Sequence, residues 1–173
     1  METIILGGGC FWCIEAIYKR LEGVISVKSG YTCGKLQFPT YEEVCSGNSG
    51  HIEVVFIEFD NEEIELEEIL DIFWQVHDPT TLNQQGNDIG TQYRSVIFYI
   101  EEYQKSIIEN SLHKLNNSAQ YNYPIVTEIR LLDIFYPAED YHQDYYKNNS
   151  NQPYSSIVIH PKIKKFETMI KKK

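Results

Sequence analysis

The sequence predicts an α+β fold: a ferredoxin-like split βαβ sheet with helices packed on it, extended by a C-terminal strand and helix. Short apolar or alternating runs indicate strands, and the segments between them carry apolar residues at helical spacing. Up to residue 100 these follow the order strand, helix, strand, strand, helix, strand, which is typical of split βαβ folds. A length of 173 residues favours a single domain over residues 1–173.

The first half of the chain contains three predicted strands and one predicted helix. The apolar run Thr3–Leu6 indicates the first strand, and Val24–Ser29 and Ile52–Phe59 alternate as the next two. Between the first two strands, Cys13–Glu22 carries apolar residues at i, i+3 and i+7, and Gly23 can cap a helix there. The first helix is therefore expected to be short and amphipathic.

The second half alternates helices and strands in the same way. Apolar residues at helical spacing predict helices over Leu66–Val76 and Tyr103–Leu115, and β-rich runs indicate strands at Ser95–Ile100 and Ile125–Leu132. A short helix is expected at Ala138–Tyr145.

The end of the chain differs in composition from the rest. From about residue 148 it is polar and rich in lysine, so Ser150–Lys173 is expected to be a largely irregular tail that wraps the body. The whole chain has a formal net charge of -10, which argues against nucleic acid or an anionic membrane as the main partner.

Two further features favour a cytoplasmic protein. No segment approaches the roughly 20 apolar residues that span a bilayer, and Met1 leads into a strand-like run without a charged leader region. All four cysteines lie in the first 45 residues, and in a reducing compartment they are expected to be thiols or redox participants.

The stretch Gly7 to Cys13, Gly-Gly-Gly-Cys-Phe-Trp-Cys, carries the clearest chemical signal. A glycine turn from a strand into a helix places the Cys10 sulfur at the positive end of the helix dipole, where a thiolate is stabilised. Phe11 and Trp12 set two large rings beside that sulfur. Cys10 is therefore a candidate nucleophile, although a cysteine taken alone is often a small buried hydrophobe.

Glu53 is a candidate acid because of its place in an alternating strand. It should share one face with Val55 and Ile57, opposite Ile52 and Val54. If that face meets a helix layer, burial raises the pKa of the carboxyl and allows it to act as a general acid near neutral pH. The alternative is a strand residue that faces solvent.

Two polar loops, at 30–53 and 77–94, contain further phenol, amide and carboxyl groups that could take part in a site. Their positions do not follow the spacing of a helix or a strand. No metal site is predicted, because the chain has no His-x-x-x-His pair and Cys10-x-x-Cys13 has no second Cys-x-x-Cys to complete a tetrahedron.

Taken together, these stretches resemble the peptide methionine sulfoxide reductase A family. Six ordered motifs carry the resemblance: Gly9–Trp12, Pro39–Gly47, Gly50–Glu53, His77–Pro79, Gln85–Ser95 and Ala138–Gln143. The resemblance implies a single catalytic domain that reduces the S epimer of methionine sulfoxide, free or in proteins, and so repairs oxidative damage.

The resemblance also implies roles for individual residues. The residue matching Cys10 attacks the sulfoxide sulfur and becomes a sulfenic acid, and the residue matching Glu53 protonates the oxygen. Tyr41 and Tyr93 match tyrosines that hydrogen-bond the oxygen. Two rings, matching Phe11 and Trp12, hold the substrate methyl group, and Asp88 matches a residue that orients the rest.

The second, resolving thiol is left open by the sequence. A common family pattern has resolving cysteines in the C-terminal tail, but here no cysteine follows Cys45. Cys13 is the first candidate, although a disulfide within one helical turn needs local unwinding. Cys33, in a Gly-flanked loop, is the second, Cys45 the third, and direct attack by an external thiol remains possible.

The sequence also gives expectations about the reductant, the oligomeric state and competing functions. From the family alone, thioredoxin is the expected reductant. No bound cofactor is expected, and the protein is expected to be a monomer. The main alternative is a thiol-disulfide oxidoreductase using Cys10-x-x-Cys13, for which Glu53 would be dispensable. A metal-binding or interaction module would leave the glycine turn and Glu53 unexplained.

Overall fold

A six-stranded sheet forms the centre of the molecule in the computed structural model, which describes residues 1–171. The strands are β1 Glu2–Gly7, β2 Val24–Thr32, β3 Ile52–Phe59, β4 Gln84–Gln85, β5 Asp88–Ile89, β6 Val96–Tyr99, β7 Glu128–Leu131 and β8 Tyr136–Pro137. The sheet has the order β7-β6-β1-β3-β2-β8, and β4 and β5 form a separate hairpin. Among the strands of residues 1–171, only β6 and β7 pair in parallel, so the predicted α+β class is confirmed.

Six α-helices accompany the strands within the described residues. They are α1 Phe11–Tyr18, α2 Tyr41–Cys45, α3 Leu66–Val76, α4 Glu102–Asn117, α5 Tyr145–Asn148 and α6 His160–Ile170. Short 3-10 turns lie at Thr91–Tyr93 and Asp140–His142, and a π-helix at Ser155–Ile159 leads into α6. No helix within residues 1–171 is both long and apolar enough to cross a membrane.

The first helix begins two residues earlier than its apolar spacing predicts and ends four residues earlier. Cys10 serves as its N-cap residue, so Phe11 is already helical. At the other end, Leu21 N–H donates to Tyr18 O in a tight turn that leads to Gly23. Gly23 has a φ of 86°, a conformation that favours glycine.

The two faces of the sheet carry separate apolar clusters, as alternation along a strand requires. On β3, Val55 and Ile57 belong to the larger cluster, which also holds the buried residues of α1, α3 and α6. Ile52 and Val54 belong to the smaller cluster on the opposite face. Glu53 therefore shares a face with Val55 and Ile57, as alternation along the strand predicted, and this is the face that the helices cover.

The expectation of a largely irregular tail from Ser150 onward is wrong for the residues that the structure describes. The π-helix and α6 fill most of this segment, and residues 172–173 lie outside the described part. Ile159, Ile163 and Phe166 are buried on one helical face and pack into the larger cluster, where α6 meets α1 and α3. Their spacing of four and three residues is helical, but the many lysines between them obscured it in the sequence.

Candidate active site

The glycine turn places Cys10 where the sequence predicted, at the start of α1. Cys10 is the N-cap residue, with an extended backbone at φ -62° and ψ 127°. The turn before it is tight: Gly9 has a φ of 86°, and its N–H donates to Tyr93 O at 3.1 Å. A Cβ on Gly8 would lie 2.9 Å from the His77 ring. Larger residues would therefore displace either this turn or its neighbours.

Glu53 lies directly against the same helix start. Its Oε2 accepts a hydrogen bond of 3.0 Å from the Phe11 N–H, and the residue is only 1% exposed. Burial raises the pKa of Glu53 to about 8, and the Phe11 hydrogen bond opposes this only partly. At neutral pH the carboxyl group therefore carries the proton that a general acid must supply.

The electrostatics of Cys10 differ from the expectation of a stabilised thiolate. Burial raises the pKa of Cys10 well above its ordinary value, and hydrogen bonding to Cys13 and the charge of Glu53 add to this rise. Because the sulfur is almost fully buried, desolvation outweighs the helix dipole. In the resting site, therefore, Cys10 is a thiol.

Cys13 is the thiol in direct interaction with Cys10. The hydrogen bond with Cys10 lowers the pKa of Cys13, and the positive charge of Lys162 acts in the same direction against burial. Because Cys10 precedes the helix and Cys13 lies in its first turn, a bond between them disturbs less helix than two helical positions would.

The other two cysteines lie elsewhere. Cys33 packs against the smaller cluster on the far face of the sheet, and its sulfur accepts a hydrogen bond of 2.8 Å from Arg130 Nη1. Cys45 is exposed at the end of α2 and is hydrogen-bonded to the Tyr41 hydroxyl. Neither shares the Cys10 environment as Cys13 does.

Tyr41, Asp88 and Tyr93 converge on the site from three separate segments. Tyr41 begins α2, Tyr93 ends a 3-10 turn, and Asp88 lies on the β4–β5 hairpin. Burial raises the pKa of both tyrosines, and the nearby Glu53 charge contributes to each, which places both phenols near the acid. Both phenols therefore stay protonated and can donate hydrogen bonds at neutral pH.

The two rings after Cys10 have different environments. Phe11 is fully buried and packs on Tyr31, with ring centroids 5.6 Å apart. Trp12 is only partly buried and stacks on Tyr145 at 3.6 Å with an angle of 6° between the planes. Trp12 is thus the ring that remains accessible to a ligand, and Phe11 supports it from the buried side.

Sequence reasoning gave no role to His142 or Glu139, which hold this aromatic wall in place. Trp12 Nε1 donates to His142 Nδ1 at 3.0 Å, and burial lowers the pKa of His142, which keeps the ring neutral and able to accept. Glu139 accepts hydrogen bonds from Tyr31 Oη at 3.1 Å and from the Tyr41 N–H at 3.2 Å. Both residues lie in the Ala138–Gln143 motif, which was the signal available in the sequence.

Tyr154 was also missed, because its position depends on how the C-terminal segment docks. Its hydroxyl donates to Asp88 Oδ2 at 2.6 Å, and its ring meets Trp12 edge-on at 5.6 Å. The same hydroxyl lies close to Cys10 and Cys13 and lowers the pKa of each thiol. Burial raises both pKa values by more than the hydroxyl lowers them. Tyr154 therefore covers the thiol pair.

Comparison with known proteins agrees with this geometry. Residues 2–173 match the family described as Peptide methionine sulfoxide reductase. The chain is 53% identical over 166 residues to Peptide methionine sulfoxide reductase MsrA of Saccharolobus solfataricus, covering 96% of this chain and 93% of that protein. It is 49% identical over 168 residues to MsrA of Acinetobacter baumannii, covering 97% and 95%.

Solved structures show the same fold. Mxr1 from Saccharomyces cerevisiae in reduced form gives a TM-score of 0.82 at 33% identity, covering 87% of each chain. Methionine sulfoxide reductase A of Corynebacterium diphtheriae gives 0.76 at 35% identity, covering 86% of this chain and 74% of that one. Mxr1 in complex with Trx2 gives 0.60 at 25% identity, covering 83% and 84%. The chain therefore belongs to the peptide methionine sulfoxide reductase family and is an oxidoreductase that acts on methionine sulfoxide.

Proposed function

We propose that this enzyme reduces the S epimer of methionine sulfoxide by attack of Cys10 on the sulfoxide sulfur, with Glu53 as the acid. The hydrogen bond from the Phe11 N–H to Glu53 carries this proposal, because it fixes a protonated carboxyl beside the residue that follows the nucleophile. A sulfoxide oxygen leaves poorly until it is protonated. A neutral acid that faces a thiol supplies what the reaction needs.

The steps balance as follows. The Cys10 sulfur bonds to the sulfoxide sulfur while Glu53 protonates the oxygen, and the Cys10 thiol proton passes to the Glu53 carboxylate. The hydroxyl group then moves from the substrate sulfur to the Cys10 sulfur as the bond between the two sulfurs breaks, which leaves Cys10 as a sulfenic acid and releases methionine. The Cys13 thiol next displaces this oxygen as water and forms a Cys10–Cys13 disulfide.

The surrounding residues bind and orient the substrate. Tyr41 and Tyr93 donate hydrogen bonds to the sulfoxide oxygen and stabilise the charge that develops there. Trp12, supported by Phe11, packs on the methyl group, and Asp88 orients the remainder of the substrate.

Cys13 is our proposed resolving residue, ahead of Cys33, because it is the cysteine that interacts directly with Cys10. The disulfide is then reduced by two electrons from an external dithiol. We propose thioredoxin for this role, and the complex of the related Mxr1 with Trx2 supports the proposal. No bound cofactor is needed for any of these steps.

The finer features of the protein are proposed on the same basis. The central strand order β6-β1-β3-β2, in which β3 separates β1 from β2, supports a ferredoxin-like split βαβ sheet. We further propose one catalytic domain over residues 1–173 that acts as a monomer in the cytoplasm, where its substrates are free methionine sulfoxide and oxidised proteins. The net charge of -10 disfavours nucleic acid and membrane partners.

One experiment tests both the reaction and its resolution. The reduced protein is mixed with one equivalent of methionine S-sulfoxide without reductant, and methionine and new disulfides are measured. We expect one methionine per chain and a Cys10–Cys13 disulfide, and no methionine from Cys10→Ser. Folded, reduced protein that forms no methionine would contradict the proposed function, and a persistent sulfenic acid would contradict the role of Cys13.

A further inference from the structure

The resolution step requires a group that takes the proton of Cys13. Cys13 attacks the sulfenic acid as a thiolate, because the thiolate is the nucleophile when a disulfide forms. The residue is only 2% exposed, so bulk water has little access to its proton. A group of the protein itself is therefore needed to accept that proton.

The Tyr154 hydroxyl contacts both thiols and one carboxylate. It lowers the pKa of Cys10 and of Cys13, whose backbones are joined by a 3.2 Å hydrogen bond from the Cys13 N–H to the Cys10 carbonyl oxygen. The same hydroxyl donates to Asp88 Oδ2 at 2.6 Å. Because a hydroxyl has a single proton, the oxygen that donates to Asp88 can only accept from a thiol. One phenol thus links the thiol pair to a carboxylate.

Tyr154 can pass a proton on but cannot store one. Burial and the negative charges of Cys10, Cys13 and Asp88 raise the pKa of Tyr154 well above its ordinary value, so the phenol stays neutral. It can therefore accept a proton from a thiol only while it gives up its own. The existing hydrogen bond directs that second proton to Asp88.

Asp88 connects this hydrogen bond to solvent. It is half-buried and lines a cleft of about 890 Å³, which the exposed residues Asn87 and Ile157 also line. A proton that reaches Asp88 can leave through this cleft. No water has to enter the space around the thiols.

The other titratable groups that face Cys13 do not compete for this role. Lys162 of α6 lowers the pKa of Cys13 through its positive charge, but an ammonium group has no lone pair with which to accept a proton. Glu53 carries a proton at neutral pH because burial raises its pKa to about 8. Cys10 is the sulfenic acid at this stage. Asp88, reached through Tyr154, is the base that remains.

We propose that Tyr154 and Asp88 together form the base that removes the Cys13 proton when Cys13 attacks the sulfenic acid at Cys10. This assignment rests on the proposed function, because it concerns the resolution step of that reaction. Tyr154 is then a catalytic residue, since its hydroxyl contacts both reacting sulfurs.

The step balances within the protein. As the two sulfurs bond, the Cys13 proton passes to the Tyr154 oxygen and the phenol proton passes to Asp88. The bond between the Cys10 sulfur and its oxygen breaks, and Glu53 donates the proton with which this oxygen leaves as water. Cys13 is oxidised and the sulfenic sulfur is reduced, so no external oxidant or reductant is consumed. Asp88 then releases its proton to solvent, and Glu53 regains one from solvent.

A single turnover separates this step from methionine formation. The reduced protein is mixed with one equivalent of methionine S-sulfoxide without reductant, and methionine, the disulfide and the sulfenic acid trapped by dimedone are followed over time. Tyr154→Phe should slow disulfide formation at least tenfold and accumulate the sulfenic acid, with a smaller effect on methionine formation. Tyr121→Phe is the matched control and should resolve at the wild-type rate, because Tyr121 lines the same cleft but its hydroxyl donates to the Trp74 carbonyl oxygen.

The pH dependence distinguishes proton transfer from a displaced C-terminal segment. Without the Tyr154 hydroxyl, Cys13 must ionise unaided, so the rate of disulfide formation in Tyr154→Phe should rise about tenfold from pH 6 to pH 7. The wild-type rate should change less than threefold over the same range. A displaced segment would slow the step by the same factor at each pH, so parallel profiles would overturn the proposal.

Asp88→Asn tests the final acceptor. The asparagine oxygen can still accept the Tyr154 hydroxyl but cannot take its proton, so the sulfenic acid should again accumulate. Disulfide formation at the wild-type rate in either Tyr154→Phe or Asp88→Asn would overturn the proposal. A wild-type protein that forms no methionine would instead reject the proposed function. A Cys10–Cys33 disulfide in wild type would reject Cys13 as the resolving residue, and this proposal with it.

Discussion

Glu53→Gln is the most informative single substitution, because it removes a proton and keeps the shape of the site. Glutamine has an oxygen that can still accept the Phe11 N–H, so the start of α1 should be preserved. What is lost is a carboxyl group whose pKa is raised from 4.5 to about 8 by burial. Stability and activity should therefore respond in opposite directions.

The expected effect on stability follows from proton linkage. Between pH 4.5 and 8 the native state holds a proton on Glu53 that the unfolded chain has already lost, so wild-type stability falls as the pH rises through this window. The two pH units from 6 to 8 correspond to roughly 3 kcal/mol. Urea unfolding at pH 6 and pH 9 should show this loss in wild type, whereas Glu53→Gln should lack this contribution.

The expected effect on activity is a large loss. Removing a general acid typically costs about 10²- to 10⁴-fold in rate, measured as methionine formed in a single turnover. The wild-type rate should also fall at alkaline pH, where the carboxyl has lost its proton, and Glu53→Gln should lack that fall. A variant within tenfold of wild type at neutral pH, or one with the same alkaline fall, would refute the role of Glu53 as acid.

Three further substitutions test the surrounding residues. Cys13→Ser should release one methionine per chain in the first turnover but slow thioredoxin-dependent turnover at least tenfold. Cys33→Ser should turn over at the wild-type rate. The reverse result would make Cys33 the resolving residue. His142→Phe removes the acceptor of the Trp12 indole N–H. It should lower the free energy of unfolding by about 1–3 kcal/mol, measured in urea, and raise the KM for methionine sulfoxide. An unchanged KM would show that the position of the Trp12 ring does not depend on this contact. Tyr154→Phe keeps the ring and removes the hydroxyl, so alkylation of the thiols as a function of pH should show a raised pKa for the thiol pair. An unchanged pH profile would exclude the hydroxyl from that role.

The reacting core of the site could be predicted from local sequence patterns. Alternation along β3 was enough to place Glu53 on one face with Val55 and Ile57, and the glycine turn was enough to place Cys10 at the start of α1. Both inferences depend on residues close together in the chain. The pKa of Cys10 could not be predicted in the same way, because it depends on how completely distant segments bury the sulfur.

The outer wall of the site is built from long-range contacts that no local pattern specifies. Trp12 and Tyr145 stack across more than a hundred residues of chain, and Tyr154 reaches Asp88 across 66 residues. These contacts exist only once the C-terminal segment has docked. The buried Ile163 and Phe166 of α6 were a visible helical signal for that docking, but the lysines around them masked it.

The same electrostatics distinguish this site from that of a thiol-disulfide oxidoreductase. Such an enzyme needs its first cysteine exposed and easily ionised, whereas Cys10 is 7% exposed and burial raises its pKa. Glu53 has no role in disulfide exchange, and where its carboxyl is ionised its charge makes ionisation of the Cys10 thiol still harder. For a sulfoxide the same carboxyl is an advantage, because a neutral acid can protonate the oxygen that the thiol must displace. The buried acid therefore has an explanation in sulfoxide reduction and none in disulfide exchange.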